Sequence, residues 1–306
     1  MTGVLTGFAI IAAIIAVGYV VGRVNLLGPD ARQVIARLVF FVLAPSLLFT
    51  ILADAEVAQL FSPLMVVSLI AASVTFAVYI AVARVAWHRD ASDAVIGALS
   101  AGYVNANNIG IPVAVYVLGD AAYSAPVILV QLLLFAPLGL AVLDVQQQGR
   151  ASVGRLISQP LRNPIIIGSA LGLVVTLTGL QVPDSVMEPF RIIGAAAVPL
   201  MLITYGMSLH GQKILEPGVE RRDAVLASAL KLLVMPAVAW LCGRFVFGLT
   251  GHDLFVVVAL AALPTAQNVF NYAQRYRRGE TLARDAIFVT TIGAVPVLIV
   301  VAALLR

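Results

Sequence analysis

Tyr103-Val104-Asn105-Ala106-Asn107-Asn108-Ile109-Gly110-Ile111-Pro112 and Leu263-Pro264-Thr265-Ala266-Gln267-Asn268 are the two stretches that decide how this chain folds. Each lies in the middle of an apolar run long enough to cross a bilayer, and each sets amides, Gly or Pro where no water is at hand. A backbone group freed there and left unsatisfied costs several kcal/mol, so both stretches must face protein or a water-filled cavity. Interrupted spans at corresponding places in two halves of a chain point to a transporter's binding site.

The rest of the sequence supports the membrane reading. Hydrophobic residues make up 61% of the 306 and charged ones 11%, against about a quarter charged in a soluble domain. Mean hydropathy is +1.02. A span takes roughly 20 apolar residues, and ten stretches qualify, at about 4–22, 33–52, 62–86, 94–118, 122–143, 163–181, 186–208, 224–249, 253–274 and 285–305. The expected fold is therefore an all-α polytopic membrane protein, with broken helices four and nine. No linker is long enough for a soluble domain. Met1-Thr2-Gly3-Val4 lacks the basic start of a signal peptide, so the first span is expected to be retained. The single Cys242 excludes a disulfide within the chain. The pI near 9.5 does not point to nucleic acid, because no basic face interleaved with aromatics is present.

Basic residues gather on one side. Arg23, Arg32, Arg89, Arg150, Arg155, Arg162, Lys213, Arg221, Arg222, Arg275, Arg277, Arg278 and Arg284 fall in alternate connections. Asp54, Glu56, Asp120, Asp184, Glu188 and Asp253 occupy the others, with only Arg191, Arg244 and Arg306 near that boundary. The positive-inside rule makes the first set cytoplasmic and both termini external. Five spans then precede the cytoplasmic connection and five follow it, which inverts the second half relative to the first. Matching residues support a repeat. Gly18, Arg37, Pro45 and Thr50 pair with Gly172, Arg191, Pro199 and Thr204 at one offset (172 − 18 and 199 − 45 are both 154). Asn107, Asn108 and Gly119 pair with Gln267, Asn268 and Gly279 at another (267 − 107 and 279 − 119 are both 160). The expected organisation is a first five-helix repeat at 1–144, a connecting loop at 145–161 and a second repeat at 162–306.

The breaks carry the candidate site. Pro removes an amide donor and clashes one turn back, and Gly permits unusual dihedrals, so Gly110 with Pro112, and Pro264, are expected to unwind their spans. Crossing there would aim half-helix N-termini at the midplane, and Asn105, Asn107, Asn108, Thr265, Gln267 and Asn268 add polar groups around them. That suits a carboxylate, which neutral amides hold without fixing a full positive charge. The alternative for any one amide is interhelical hydrogen bonding. Pro45 and Pro199 either kink their helices or shape a cavity with Ser46, Thr50 and Thr204. Gln131 and Tyr205 either pack or line that cavity. Lys231 is the charge set deepest in a span, read as snorkelling to the interface, with attraction of an anion as the alternative.

Every Asp and Glu lies in a loop or near a span end, which disfavours proton coupling through a midplane carboxylate. Sodium coupling stays open, since carbonyls and amides can ligate it. His88, His210 and His252 lack metal-ligand spacing, and no nucleophile or metalloprotease motif is present. No enzyme activity, cofactor or metal is expected.

The Asn105-Ala-Asn-Asn-Ile-Gly-Ile-Pro112 stretch, its partner Pro264-Thr-Ala-Gln-Asn268, the ten spans and the central loop resemble the auxin efflux carrier family over essentially the whole chain. The resemblance implies a five-plus-five inverted repeat, with a scaffold and a transport domain each drawn from both repeats. It also implies crossed broken helices similar to those of sodium/proton antiporters and bile acid symporters, the crossover marked by Asn108 and Pro112 on one side and Pro264 and Asn268 on the other. The short central loop departs from the long loop of many plant members and favours a compact bacterial carrier in the inner membrane. The function implied is elevator-type transport of small organic anions such as malonate-like or auxin-like carboxylates. A sodium-coupled symporter of the bile acid type, and a non-transporting membrane scaffold or sensor, are the alternatives. The expected partners are the anion and the lipid bilayer, with a homodimer among the permitted assemblies.

Overall fold

The computed structural model describes residues 2–54, 62–148, 162–209 and 220–305. Glu56, Arg150, Arg155, Lys213, His210, Arg306 and most of the expected connecting loop lie outside the described residues. The described residues are helical, with one isolated antiparallel bridge. Among the described residues six helices are long and apolar enough to cross a membrane: α2 (Ala31–Ala53), α3 (Pro63–Ala86), α6 (Ala121–Gln147), α8 (Asp184–Ser208), α9 (Arg221–Val246) and α12 (Glu280–Leu305). Between them stand α1 (Thr2–Arg23) and α7 (Pro164–Thr178). Two segments are split into half-helices, α4 (Ala91–Gly102) with α5 (Ala106–Leu118), and α10 (Gly251–Ala261) with α11 (Gln267–Tyr276). These splits fall in the expected fourth and ninth spans.

The helices sort into two groups. Helix α1 packs along α8, and α2 packs along α7 and α8. Helices α3, α4, α6, α9, α10 and α12 pack mainly with one another. Small residues set the first group, because without a large hydrophobic drive between apolar helices in lipid, close backbone approach supplies the attraction. A Cβ on Gly18 would stand 2.2 Å from the Ile203 carbonyl oxygen, and one on Gly172 would stand 2.5 Å from that of Phe49. These are the same contact in two places (172 − 18 and 203 − 49 are both 154). The turn after α1 repeats after α7: Asn25 and Gly179 both have left-handed φ, of 50° and 65°. Leu26 and Leu180 each donate back five residues at 3.2 Å. The ends of α3 and α9 match at the second offset. Arg89 N–H donates to Ala83 O, and Leu249 N–H to Gly243 O, both at 2.8 Å (249 − 89 and 243 − 83 are both 160).

Lys231 departs from the snorkelling expectation. Its residue is 0% exposed, and its Nζ donates to the Ala261 carbonyl oxygen at 2.6 Å. The acceptor is a freed carbonyl at the end of α10, and the side chain turns inward to reach it.

Candidate functional site

The two breaks meet. Tyr103–Asn105 leave α4 extended, Ala262–Ala266 leave α10, and Val104 and Thr265 face each other in the antiparallel bridge. Asn105 N–H donates to Pro264 O at 2.7 Å and Ala266 N–H to Tyr103 O at 3.0 Å. Each break thus satisfies backbone groups that the other frees, which is what a site without water requires. Buried hydroxyls finish the arrangement. Thr265 Oγ1 donates to Ser100 O at 2.6 Å, a carbonyl in the last turn of α4. Thr265 N–H donates to Thr290 Oγ1 at 3.0 Å, tying the crossing to α12.

The unwinding in the first break sits upstream of where Gly110 and Pro112 suggest. Both lie inside α5, and residues Ala106–Gly110 form a π-helical turn. That wider turn accommodates the ring of Pro112, which has no N–H to give to a carbonyl four residues back. Gly110 has an ordinary helical φ of −65°. Its smallness serves packing instead: a Cβ there would lie 3.0 Å from Leu263 Cδ1 of the second break.

A cavity of about 990 Å³ opens beside the crossing, at the upper end of the ~300–1,000 Å³ common for ligand sites. Asn105, Asn107, Asn108, Gln267 and Asn268 line its deep wall, with Gln131 from α6 and Thr204 and Tyr205 from α8 beside them. Its mouth includes the exposed loop residues Asn25, Pro29 and Asp30 together with Arg32, so it reaches the surface at the Arg-bearing ends. Pro264 and Thr265 belong to the crossing and Gly110 and Pro112 to α5, and none of the four lines the cavity; Pro45, Ser46, Thr50 and Pro199 do not line it either. Ser46 and Thr50 bond within their own helix, to Val42 O at 2.8 Å and Leu47 O at 2.9 Å.

The wall is polar and incompletely satisfied. Asn105 caps α5 by accepting the Asn108 N–H on Oδ1 at 3.1 Å, which leaves its buried Nδ2 without a partner among the described residues. Asn107 Nδ2 donates to Asn108 Oδ1 at 3.1 Å, while Asn107 Oδ1, Gln131 Oε1 and Tyr205 Oη are buried and unpartnered there. Gln267 Nε2 reaches Ser208 Oγ of α8 at 3.5 Å, a side-chain link across the cavity between the helix groups. Unsatisfied donors and acceptors around one space are what a polar ligand completes.

Sequence reasoning missed Asn271 and Gln274, which extend the wall along α11 toward Arg284. The signal was present: Gln267, Asn271 and Gln274 recur at helical spacing on one face. It also missed the anchor where α3, α4 and α9 end. Arg89 grips the buried Asp223 through Nη2 at 2.6 Å and Nε at 3.1 Å, and that hydrogen bonding holds the guanidinium above its ordinary pKa. Partners 134 residues apart carry no local pattern.

A membrane protein whose two broken helices cross beside a polar cavity belongs to the class of membrane transporters, and the comparisons with known proteins agree. The family described as "Membrane transport protein" matches residues 4–140 and 142–302. The chain belongs to this family, the auxin efflux carrier family. It is similar to an uncharacterized transporter of Methanothermobacter thermautotrophicus, 26% identical over 92% of each chain. An uncharacterized transporter of Methanocaldococcus jannaschii is 22% identical over 61% of this chain and 60% of its own. A probable auxin efflux carrier component 5b of Oryza sativa subsp. japonica is 29% identical over 45% of this chain and 38% of its own.

Proposed function

We propose that this protein is a secondary carrier of small organic anions, carboxylates of the malonate-like or auxin-like kind, bound at the crossing of its broken helices. The observation that carries the reading is the cavity wall, where the amides of Asn105, Asn107, Asn108, Gln267 and Asn268 stand around the N-terminal ends of α5 and α11. Backbone and amide donors at helix N-termini bind and orient a carboxylate. The probable auxin efflux carrier among the relatives supports an anionic substrate.

In this reading the ten spans form two inverted five-helix repeats, each containing one broken helix, as the matched turns and glycine contacts support. Helices α1, α2, α7 and α8 form a scaffold, and the crossing travels with the other group as an elevator. The cavity lies on the cytoplasmic side of an inner membrane, with both termini outside.

The test is a thermal-shift screen of purified protein against mono- and dicarboxylates, followed by flux into proteoliposomes. A ligand present at 100 times its Kd stabilises the folded state by about 2.7 kcal/mol. The expected result is a shift with at least one carboxylate and uptake of that compound; neither shift nor uptake across the panel overturns the reading. For orientation, in a Cys242→Ala background, cysteine at Asp54 should react with an impermeant thiol reagent in intact cells and cysteine at Arg277 should not. The reverse pattern inverts the topology.

A further inference from the structure

Lys231 is a buried basic residue without an acidic partner among the described residues. Its residue is 0% exposed, and the ion pairs among the described residues do not include it. Its Nζ donates to Ala261 O at 2.6 Å and lies 3.2 Å from Met235 Sδ. Holding a lone ammonium among apolar groups is costly. A bland explanation is at hand, because a cation at a helix C-terminus offsets the dipole there.

The charges at the crossing argue for more. Four half-helix ends meet, the C-terminal ends of α4 and α10 and the N-terminal ends of α5 and α11. Each carries about half an elementary charge, so two of each sign cancel and the crossing alone has no net charge. A protonated Lys231 adds a whole positive charge, and no acid pairs with it among the described residues. The corresponding position in the first half (231 − 160 = 71) is the buried Ala71, so the charge is not duplicated. The amine also stands close behind the cavity wall. Met235 and Ala261, its two contacts, line a void of about 10 Å³ together with Val104 and Gln131. Val104 and Gln131 line the main cavity as well, and Gln131, 4% exposed, has an unpartnered Oε1.

We infer that Lys231 determines substrate specificity: its ammonium, set behind the crossing and separated from the cavity by Val104 and Gln131, supplies the positive charge that selects anions over neutral molecules of the same shape. This deepens the carboxylate reading and rests on it. The amides and helix ends orient a carboxylate, while the buried charge distinguishes that carboxylate from its amide. The effect acts through the protein interior, where a unit charge is screened far less than in water.

The experiment measures binding of malonate, succinate, benzoate and indole-3-acetate to the parent protein, then takes the best binder and its primary amide to four proteins. Lys231→Gln keeps a donor for Ala261 O but removes the charge. Met235→Glu keeps the amine and cancels its charge with an acid one helical turn away, and Met235→Gln is its neutral control. The expected result is a loss of carboxylate affinity of about tenfold or more in Lys231→Gln and Met235→Glu, the scale of a partly screened unit charge. Amide affinity should stay level in both, and Met235→Gln should behave as the parent. If no carboxylate binds the parent, the carboxylate reading falls and this inference with it. If the parent binds but either charge-removing variant, folded, binds the carboxylate equally well, Lys231 is only a helix cap and this inference alone falls. Parallel loss of carboxylate and amide affinity also overturns it. Should Lys231→Gln not fold, Lys231→Met, which removes the charge and fills similar space, decides.

Discussion

Asn105 and Thr265 occupy equivalent places in the two breaks (265 − 105 = 160) and do opposite things. Asn105 turns inward along its own chain, accepting the Asn108 N–H and starting α5. Thr265 reaches across, donating to Ser100 O of the other half. The neighbours follow suit. Asn107 and Asn108 bond to each other, whereas Gln267 and Asn268 open an α11 whose N-cap, Ala266, offers no side-chain bond. The first break therefore uses part of its polar groups to hold its own shape, leaving Asn105 Nδ2 and Asn107 Oδ1 unpartnered among the described residues, whereas the second directs Thr265 to the other half and Gln267 to α8. The two breaks divide the labour, local capping in one and cross-bonding in the other.

That division predicts its largest effect at Asn268. An amide that bonds substrate and little else should, on Asn268→Ala, lose a charge-assisted hydrogen bond worth about 1.5–3 kcal/mol, which weakens carboxylate binding roughly ten- to a hundred-fold. The melting temperature of the ligand-free protein should hardly move. Titration of parent and variant with the best carboxylate, beside ligand-free melts, reads both quantities. A variant that binds as the parent does would remove Asn268 from the site.

Much of this was legible in the sequence, and what was not has physical reasons. Side-chain amides and prolines inside apolar runs are costly enough to announce both breaks, and Tyr103–Asn105 and Ala262–Ala266 are where the helices part. The roles of individual residues were less visible. Gly110 reads equally as a flexible hinge or as room for a neighbour, and only the contact with Leu263 decides for the second. Pro112 marks a π-helical turn rather than the break, because the chain relieves its ring one turn upstream. Pro45 and Pro199, matched so well by offset, lie outside the cavity wall, since a matched offset reports similar placement along the chain and not proximity to a ligand. Lys231 could be placed in depth by counting residues. Its direction depended on a free carbonyl contributed by a helix 30 residues away.

A middle-sized effect is expected at Asn105. Asn105→Ala removes the cap of α5 and strands the Asn108 N–H, which costs about 0.5–2 kcal/mol on the scale of helix caps. Binding should fall too, but as a consequence: affinity for the best carboxylate and ligand-free melting temperature should drop together, in contrast to Asn268→Ala. Asn105→Asp, which keeps the capping oxygen, should restore most of the stability and still bind poorly, because it sets a negative charge in an anion site. An Asn105→Ala protein with the parent's melting temperature would mean that the cap is not what this residue provides.

The smallest effect belongs to Thr265, and it tests whether the crossing is held by side chains or by backbone. Thr265→Val keeps shape and removes the donor to Ser100 O, leaving a buried carbonyl in the last turn of α4 short of a partner. In water-soluble cores an orphan of this kind costs about 1–3 kcal/mol. Hydrogen bonds between membrane helices measure nearer ~0.6 kcal/mol, because the unfolded chain in lipid also finds partners. The crossing retains its two backbone bonds, Asn105 N–H to Pro264 O and Ala266 N–H to Tyr103 O, so the lower figure applies. Thr265→Val should therefore melt only slightly below the parent and bind carboxylate nearly as well, and Thr265→Ser should match the parent in both. A large loss of stability in Thr265→Val, rescued by Thr265→Ser, would show that the hydroxyl is the strut and the backbone pairing the lesser part. The contrast between a self-capping first break and a cross-bonded second one would then be sharper than the geometry alone makes it.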